Sequence, residues 1–188
     1  MTLTPYILVS AGISIAVVED LRRQKIPNVV TYSMMLFGII FHIVNAGLAG
    51  LIFSIEGMFV GTGIFIIPYL LGGMGAGDAK LMGGVGAILG VTGVIIAAVI
   101  SILLGLIYAI ILLLINWSFG RSFLKRSYTT LKTFLFTKQW VPIPPPKGEK
   151  QPVLCYALPI AVGTLYTVYI KFTGSGLIQD LLGFQFVI

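Results

Sequence analysis

Acidic side chains are scarce in this chain, six in 188 residues against twelve lysines and arginines, and charge of either sign makes up only 10% of it. A chain with so little charge and 57% hydrophobic residues is an integral membrane protein, because it has too few polar groups to face water on all sides. Cysteine occurs once, as Cys155, which excludes an intramolecular disulfide framework and a four-cysteine zinc site. Histidine also occurs once, as His42 within an apolar run, so no second imidazole completes a metal site. A hydrogen-bonded, neutral ring is the plain reading there, and neither metal nor cofactor is expected. The first apolar run lacks a basic leading region and a clear small-residue cleavage pattern, and it reads as a span rather than a removed signal. The net charge of +6 invites a nucleic-acid reading. With no binding module or soluble domain in the chain, and with topology able to explain the charge, nucleic acid is not an expected partner.

The charge-free stretches set the architecture. A helix needs about 20 residues to cross a hydrocarbon core of about 30 Å. Spans are expected over residues 1–18, 29–46 and 51–72, and the run from Leu81 to Gly120 holds no charge and is long enough for two. Gly90-Val91-Thr92-Gly93 is the expected break, which makes the fourth helix short, and residues 154–170 supply a sixth span. The expected fold is all-α and polytopic, one domain over 1–188. With six spans, Lys171 alone of the twelve basic residues falls outside the first, third and fifth loops. The positive-inside bias makes those loops cytoplasmic and places both termini outside the cytoplasm.

The longest polar segment, 120–152, is a basic connector within that domain. Phe123, Leu124, Tyr128, Leu131, Phe134 and Leu135 alternate there with cations, as in a helix lying on anionic membrane lipid. Pro142-Ile143-Pro144-Pro145-Pro146 then forms a stiff spacer. A substrate-docking role is the other reading of this segment.

Two aspartates interrupt the apolar pattern at its most polar points. Asp20 leads into Asp20-Leu21-Arg22-Arg23-Gln24-Lys25-Ile26-Pro27-Asn28, and Asp78 lies in Gly73-Met74-Gly75-Ala76-Gly77-Asp78-Ala79-Lys80. A carboxylate between apolar spans is costly to keep and marks a functional candidate. Both fall at the expected cytoplasmic boundary. Gly75 and Gly77 remove side chains on either side of Ala76, which leaves room for a tight turn and for an extended peptide. Two carboxylates brought within a few ångströms share a proton, so one can activate water while the other polarises a carbonyl. Each piece also has an ordinary reading. Asp78 alone can cap a helix and pair with Lys80, and Asp20 alone can sit in a solvated turn with Arg22 and Arg23. Pro27 can simply open the second span. Glu19 points about 100° from Asp20 on a helix and reads as a boundary charge, and Glu56 as an interfacial one.

Taken jointly, Asp20 with Ile26-Pro27-Asn28, and Gly75-Ala76-Gly77-Asp78-Ala79-Lys80-Leu81-Met82, resemble the type IV prepilin peptidase family, membrane aspartyl peptidases of the Gly-x-Gly-Asp type. The short members of the tight-adherence pilus kind are most similar. The resemblance implies an endopeptidase of the inner membrane that removes the basic leader of prepilins or pseudopilins, its protein partners, at the cytoplasmic face after a glycine. By that match Asp20 and Asp78 are the catalytic pair. Gly75 and Gly77 belong to the active-site loop, with Lys80, Ile26, Pro27 and Asn28 as supporting sequence. The segment from Tyr156 to Gly163 looks like the family's last span. The longer members carry a Cys-x-x-Cys insertion and an N-methyltransferase activity where this chain has only the loop from Glu19 to Asn28, so methyl transfer is not expected. Two other classes use similar features: a proton-coupled transporter with paired membrane carboxylates, and a non-catalytic assembly protein of a pilus or secretion apparatus. Aspartates at one boundary rather than the midplane disfavour the first, and retention of both carboxylates the second.

Overall fold

A computed structural model describes residues 3–70, 73–138 and 155–173. The described residues form five helices and no strand: α1 (Thr4–Arg23), α2 (Asn28–Leu70), α3 (Ala76–Ile115), α4 (Trp117–Thr137) and α5 (Ala157–Thr173). Of these, α1, α2 and α3 are long and apolar enough to cross a membrane, and α5 is a shorter apolar helix. Two compact units divide the chain, one of residues 1–105 with 155–188 and one of residues 106–154. The proline spacer 142–146 and the tail from 174 lie outside the described residues.

In the first unit the two longest helices are not straight rods. Gly47 interrupts α2 with φ 59° and ψ −134°, and Gly90 interrupts α3 with φ 72° and ψ −177°. Side chains with a Cβ rarely adopt such backbone, and glycine does so at little cost. The chain reverses at both points. Gly50 lies against the His42 carbonyl eight residues earlier, which a continuous rise of about 1.5 Å per residue would forbid. Met34, Gly38 and His42 meet Gly84, Ala87 and Ile88 in ascending order, whereas Ser54, Gly57 and Gly61 meet Ala87, Gly86 and Met82 in descending order. Segments 28–46 and 48–70 therefore run in opposite directions. The second reversal falls at the first residue of the break expected from the sequence.

The short segment 76–89 is the axis of this unit. From Leu81 to Gly90 every residue is buried, which explains why a stretch without charge is also rich in glycine: small residues let neighbouring backbones approach closely. Gly50, Ser54, Gly57, Gly61 and Phe65 form the facing stripe of α2. Val9, Ile13 and Ala16 of α1 and Ile160 of α5 belong to the same core. Large apolar side chains such as Val44, Leu48, Phe59 and Ile67 are exposed, as expected of surfaces in lipid. Where segment 76–89 stops, its final carbonyls would be left without partners in an apolar setting. Three side chains supply them. Ser54 Oγ donates to Ala87 O at 2.8 Å, His42 Nε2 to Ile88 O at 3.0 Å and Lys171 Nζ to Leu89 O at 2.9 Å. Lys171, the cation set apart by its side of the membrane in the sequence reading, is thus a helix cap, and His42 is hydrogen-bonded.

A test of this packing follows from the glycines. A Cβ on Gly57 would collide with the Gly86 carbonyl, and one on Gly86 with the Gly57 carbonyl, so both contacts are with backbone that cannot swing aside. Gly57→Ala and Gly86→Ala should each lower stability by about 1–3 kcal/mol, read as earlier thermal unfolding in detergent. Gly63→Ala should leave the transition in place, because nothing lies within 4 Å of its Cβ position.

Candidate active site

One end of the first unit gathers Asp20, Asn28, Asp78 and Lys80. Helix α1 runs past the expected end of the first span to Arg23, so Asp20 sits in its last turn rather than opening a loop. Gln24 ends the helix in the left-handed conformation, φ 53° and ψ 34°, and donates its N–H to Asp20 O at 2.8 Å. The ten-residue polar stretch thereby shrinks to a tight connection. Pro27 closes it, accepting N–H bonds from Val30 and Thr31 at 3.1 and 3.4 Å as α2 begins.

The second polar segment docks on this connection. The Cβ position of Gly77 lies 3.1 Å from Ile26 Cβ, so any side chain there would push Ile26 away. Lys80 Nζ donates to Asn28 Oδ1 at 3.0 Å and stands 5.2 Å from the Tyr32 ring centroid. Lys80 therefore ties the start of α3 to the start of α2 and does not pair locally with Asp78.

Asp78 occupies the first turn of α3, and its Oδ2 accepts the Gly75 N–H at 3.1 Å. This is the reach-back half of a capping box. Capping engages that one oxygen in a bond within its own loop, so the ordinary reading of Asp78 and the catalytic one are compatible. Asp20 Oδ2 accepts the Ala157 N–H at 3.4 Å, from the first residue of α5. Both aspartates are only 8% exposed, and they lie close enough for the charge of Asp20 to act on the carboxyl of Asp78. The charges of both also reach the Cys155 thiol, whose Sγ is 3.9 Å from Asp20 O.

The segment Cys155-Tyr156-Ala157 is the part of the site that the sequence reading missed, having taken it only as the start of a closely packed span. Tyr156 anchors it. Its ring meets Phe65 edge-on at 6.1 Å, lies over Gly105, and its hydroxyl donates to Ser101 O at 3.3 Å. The contribution to Asp20 is a backbone N–H on an alanine, which has no signature in the sequence. Among the described residues, the other two acidic ones stay apart from this arrangement: Glu19 pairs with Arg23 at 3.1 Å along α1, and Glu56 is exposed on α2.

Long apolar helices with two buried, neighbouring carboxylates at one end define a helical membrane protein with a candidate hydrolytic site. A model of the type IV leader peptidase family matches residues 7–110, more than half of the chain, and the chain belongs to that family. No curated protein and no solved structure matches it. The match takes in Asp20, Asn28, Gly75, Asp78 and Lys80, and it ends before Ala157.

Proposed function

We propose that this protease is an aspartic endopeptidase that removes the basic leader of prepilins or pseudopilins, after a glycine, at the cytoplasmic face of the inner membrane. The observation that carries the reading is the convergence of Asp20 and Asp78 from separate helices at one end of the unit, both buried and near enough for the charge of Asp20 to act on Asp78. In the cleavage step one carboxylate takes a proton from water as the water attacks the scissile carbonyl carbon. The other, protonated, donates to the carbonyl oxygen, and return of a proton to the departing amide nitrogen completes hydrolysis. Gly75 and Gly77 leave backbone space for an extended substrate, and the Lys80–Asn28 and Gly77–Ile26 contacts hold the two aspartate-bearing segments in register.

The face assignment rests on charge. Arg22, Arg23, Lys25 and Lys80 lie in the chain segments that carry the aspartates, while the opposite end has Lys171 capping Leu89. Six crossings, with a reversal at each of Gly47 and Gly90 and both termini outside, fit this distribution under the positive-inside rule. Cleavage proceeds without methylation of the new N-terminus, because the connection between α1 and α2 is too short to form a pocket for a methyl donor.

Intact-mass analysis of a prepilin co-expressed with this chain, in a host lacking other prepilin peptidases, tests the reading. The expected product is shortened by its leader and carries an unmodified N-terminus. An uncut prepilin would remove the peptidase assignment, and a cut product bearing an added methyl group would remove the claim of proteolysis alone.

A further inference from the structure

The second unit contains an amphipathic helix that neither the family match nor the proposed chemistry employs. Residues 106–115 complete α3, and after Asn116 the chain turns: a Cβ on Gly120 would lie 2.6 Å from the Leu113 carbonyl oxygen. Seven residues of straight helix would separate their α-carbons by about 10 Å. The axis therefore changes direction where the apolar run ends, and α4 begins.

Helix α4 has two distinct sides. Trp117, Leu124, Tyr128 and Leu135 recur at intervals of seven and four, which places them within a stripe about 40° wide on the helix wheel. All four are more than 60% exposed. Arg121, Lys125 and Lys132 cluster beside this stripe, and Trp117–Thr137 contains no acidic residue. Arg126 lies farther round, its guanidinium 5.9 Å from the Phe119 ring centroid.

Four cations make α4 too costly to bury across a bilayer. An exposed apolar stripe flanked by cations instead fits a boundary that is apolar below and anionic above, with the long basic side chains reaching to the charged layer. A polar protein surface would leave the stripe uncovered, and a basic leader peptide would be repelled.

We propose that α4 lies along the membrane surface and binds anionic lipid headgroups, with Trp117, Leu124, Tyr128 and Leu135 directed toward the acyl chains and Arg121, Lys125 and Lys132 toward the phosphates. This surface is independent of the peptidase assignment and would hold whether or not the chain cleaves prepilin. Its effect is to fix the chain leaving α3 in the plane of the membrane.

The test uses the full chain with Trp117 and Trp140 replaced by Phe and one tryptophan reintroduced, as Leu124→Trp or as Thr129→Trp on the opposite face. Each protein is reconstituted into phosphatidylcholine vesicles, or into phosphatidylcholine vesicles containing phosphatidylglycerol, with lipid brominated near the headgroup end of its acyl chains as quencher. With phosphatidylglycerol present, Leu124→Trp should be quenched at least about threefold more than Thr129→Trp. The contrast should collapse in phosphatidylcholine alone. It should collapse also when Arg121, Lys125 and Lys132 are all replaced by Gln. Equal quenching of the two faces in the anionic vesicles would overturn the proposal, as would a contrast that persists unchanged in neutral vesicles. The lipid comparison leaves the basic residues intact, so it decides the matter even if the triple substitution impairs folding.

Discussion

Asp20→Asn and Asp78→Asn should each reduce leader removal by about 10³-fold or more while the protein still inserts and unfolds as the wild type does. An amide has nearly the size of the carboxyl it replaces and can still accept the bond from Gly75 or Ala157, so the local frame survives. What it cannot do is take a proton from water or pass one to a carbonyl oxygen. A dyad that works as a unit loses nearly everything when either member is removed, and the double substitution should be little worse than the single ones. Glu19→Gln and Glu56→Gln should retain activity, since Glu19 pairs with Arg23 and Glu56 is exposed elsewhere on α2. A gel-shift assay of prepilin processing reads all of these. Substantial cleavage by a folded Asp20→Asn or Asp78→Asn protein would end the two-aspartate mechanism.

The second large effect is expected at a residue with no reactive side chain. Ala157 holds Asp20 Oδ2 through its backbone N–H, and proline at that position removes the donor. It does so at the first residue of α5, where a proline ring suits the helix and no intrahelical bond is lost. Ala157→Pro should lower kcat by about 100-fold with a much smaller change in KM, because a catalytic group displaced by an ångström is misaligned for reaction more than for binding. Ala157→Gly keeps the N–H and should keep most of the activity. Ala157 is 1% exposed, so the added ring atoms must also be accommodated. A detergent melt of both variants separates loss of alignment from loss of fold. A folded Ala157→Pro protein with full activity would show that Asp20 is positioned by other contacts.

These two predictions differ in how they could have been reached. Asp20 and Asp78 stand out in the chain because charge is rare there, and a carboxylate amid apolar residues is conspicuous by its cost alone. Gly75 and Gly77 are visible for a related reason, since backbone without side chains flanks one of those carboxylates. The helical class, the apolar spans and the break at Gly90 are likewise local properties of composition and of a residue tolerant of positive φ. The end of α1 was not legible. Residues 19–23 are polar enough to read as loop, yet they continue the helix through Arg23 because backbone bonding carries on past the apolar face and Glu19 pairs with Arg23 one turn later.

The amino-acid sequence by itself determined the class of the protein and the family motifs, and it singled out the two candidate carboxylates, because each of these depends on residue type or short-range spacing. Tertiary structure alone decided what those residues touch. Lys80 bonds to Asn28 across 52 positions, Ala157 to Asp20 across 137, and Lys171 closes a helix end at Leu89 across 82. Contacts at such separations depend on how whole helices pack, and two of the three end on backbone atoms that are alike in every residue. A backbone N–H or carbonyl becomes a specific partner only when the fold leaves it pointing at a group in need of one.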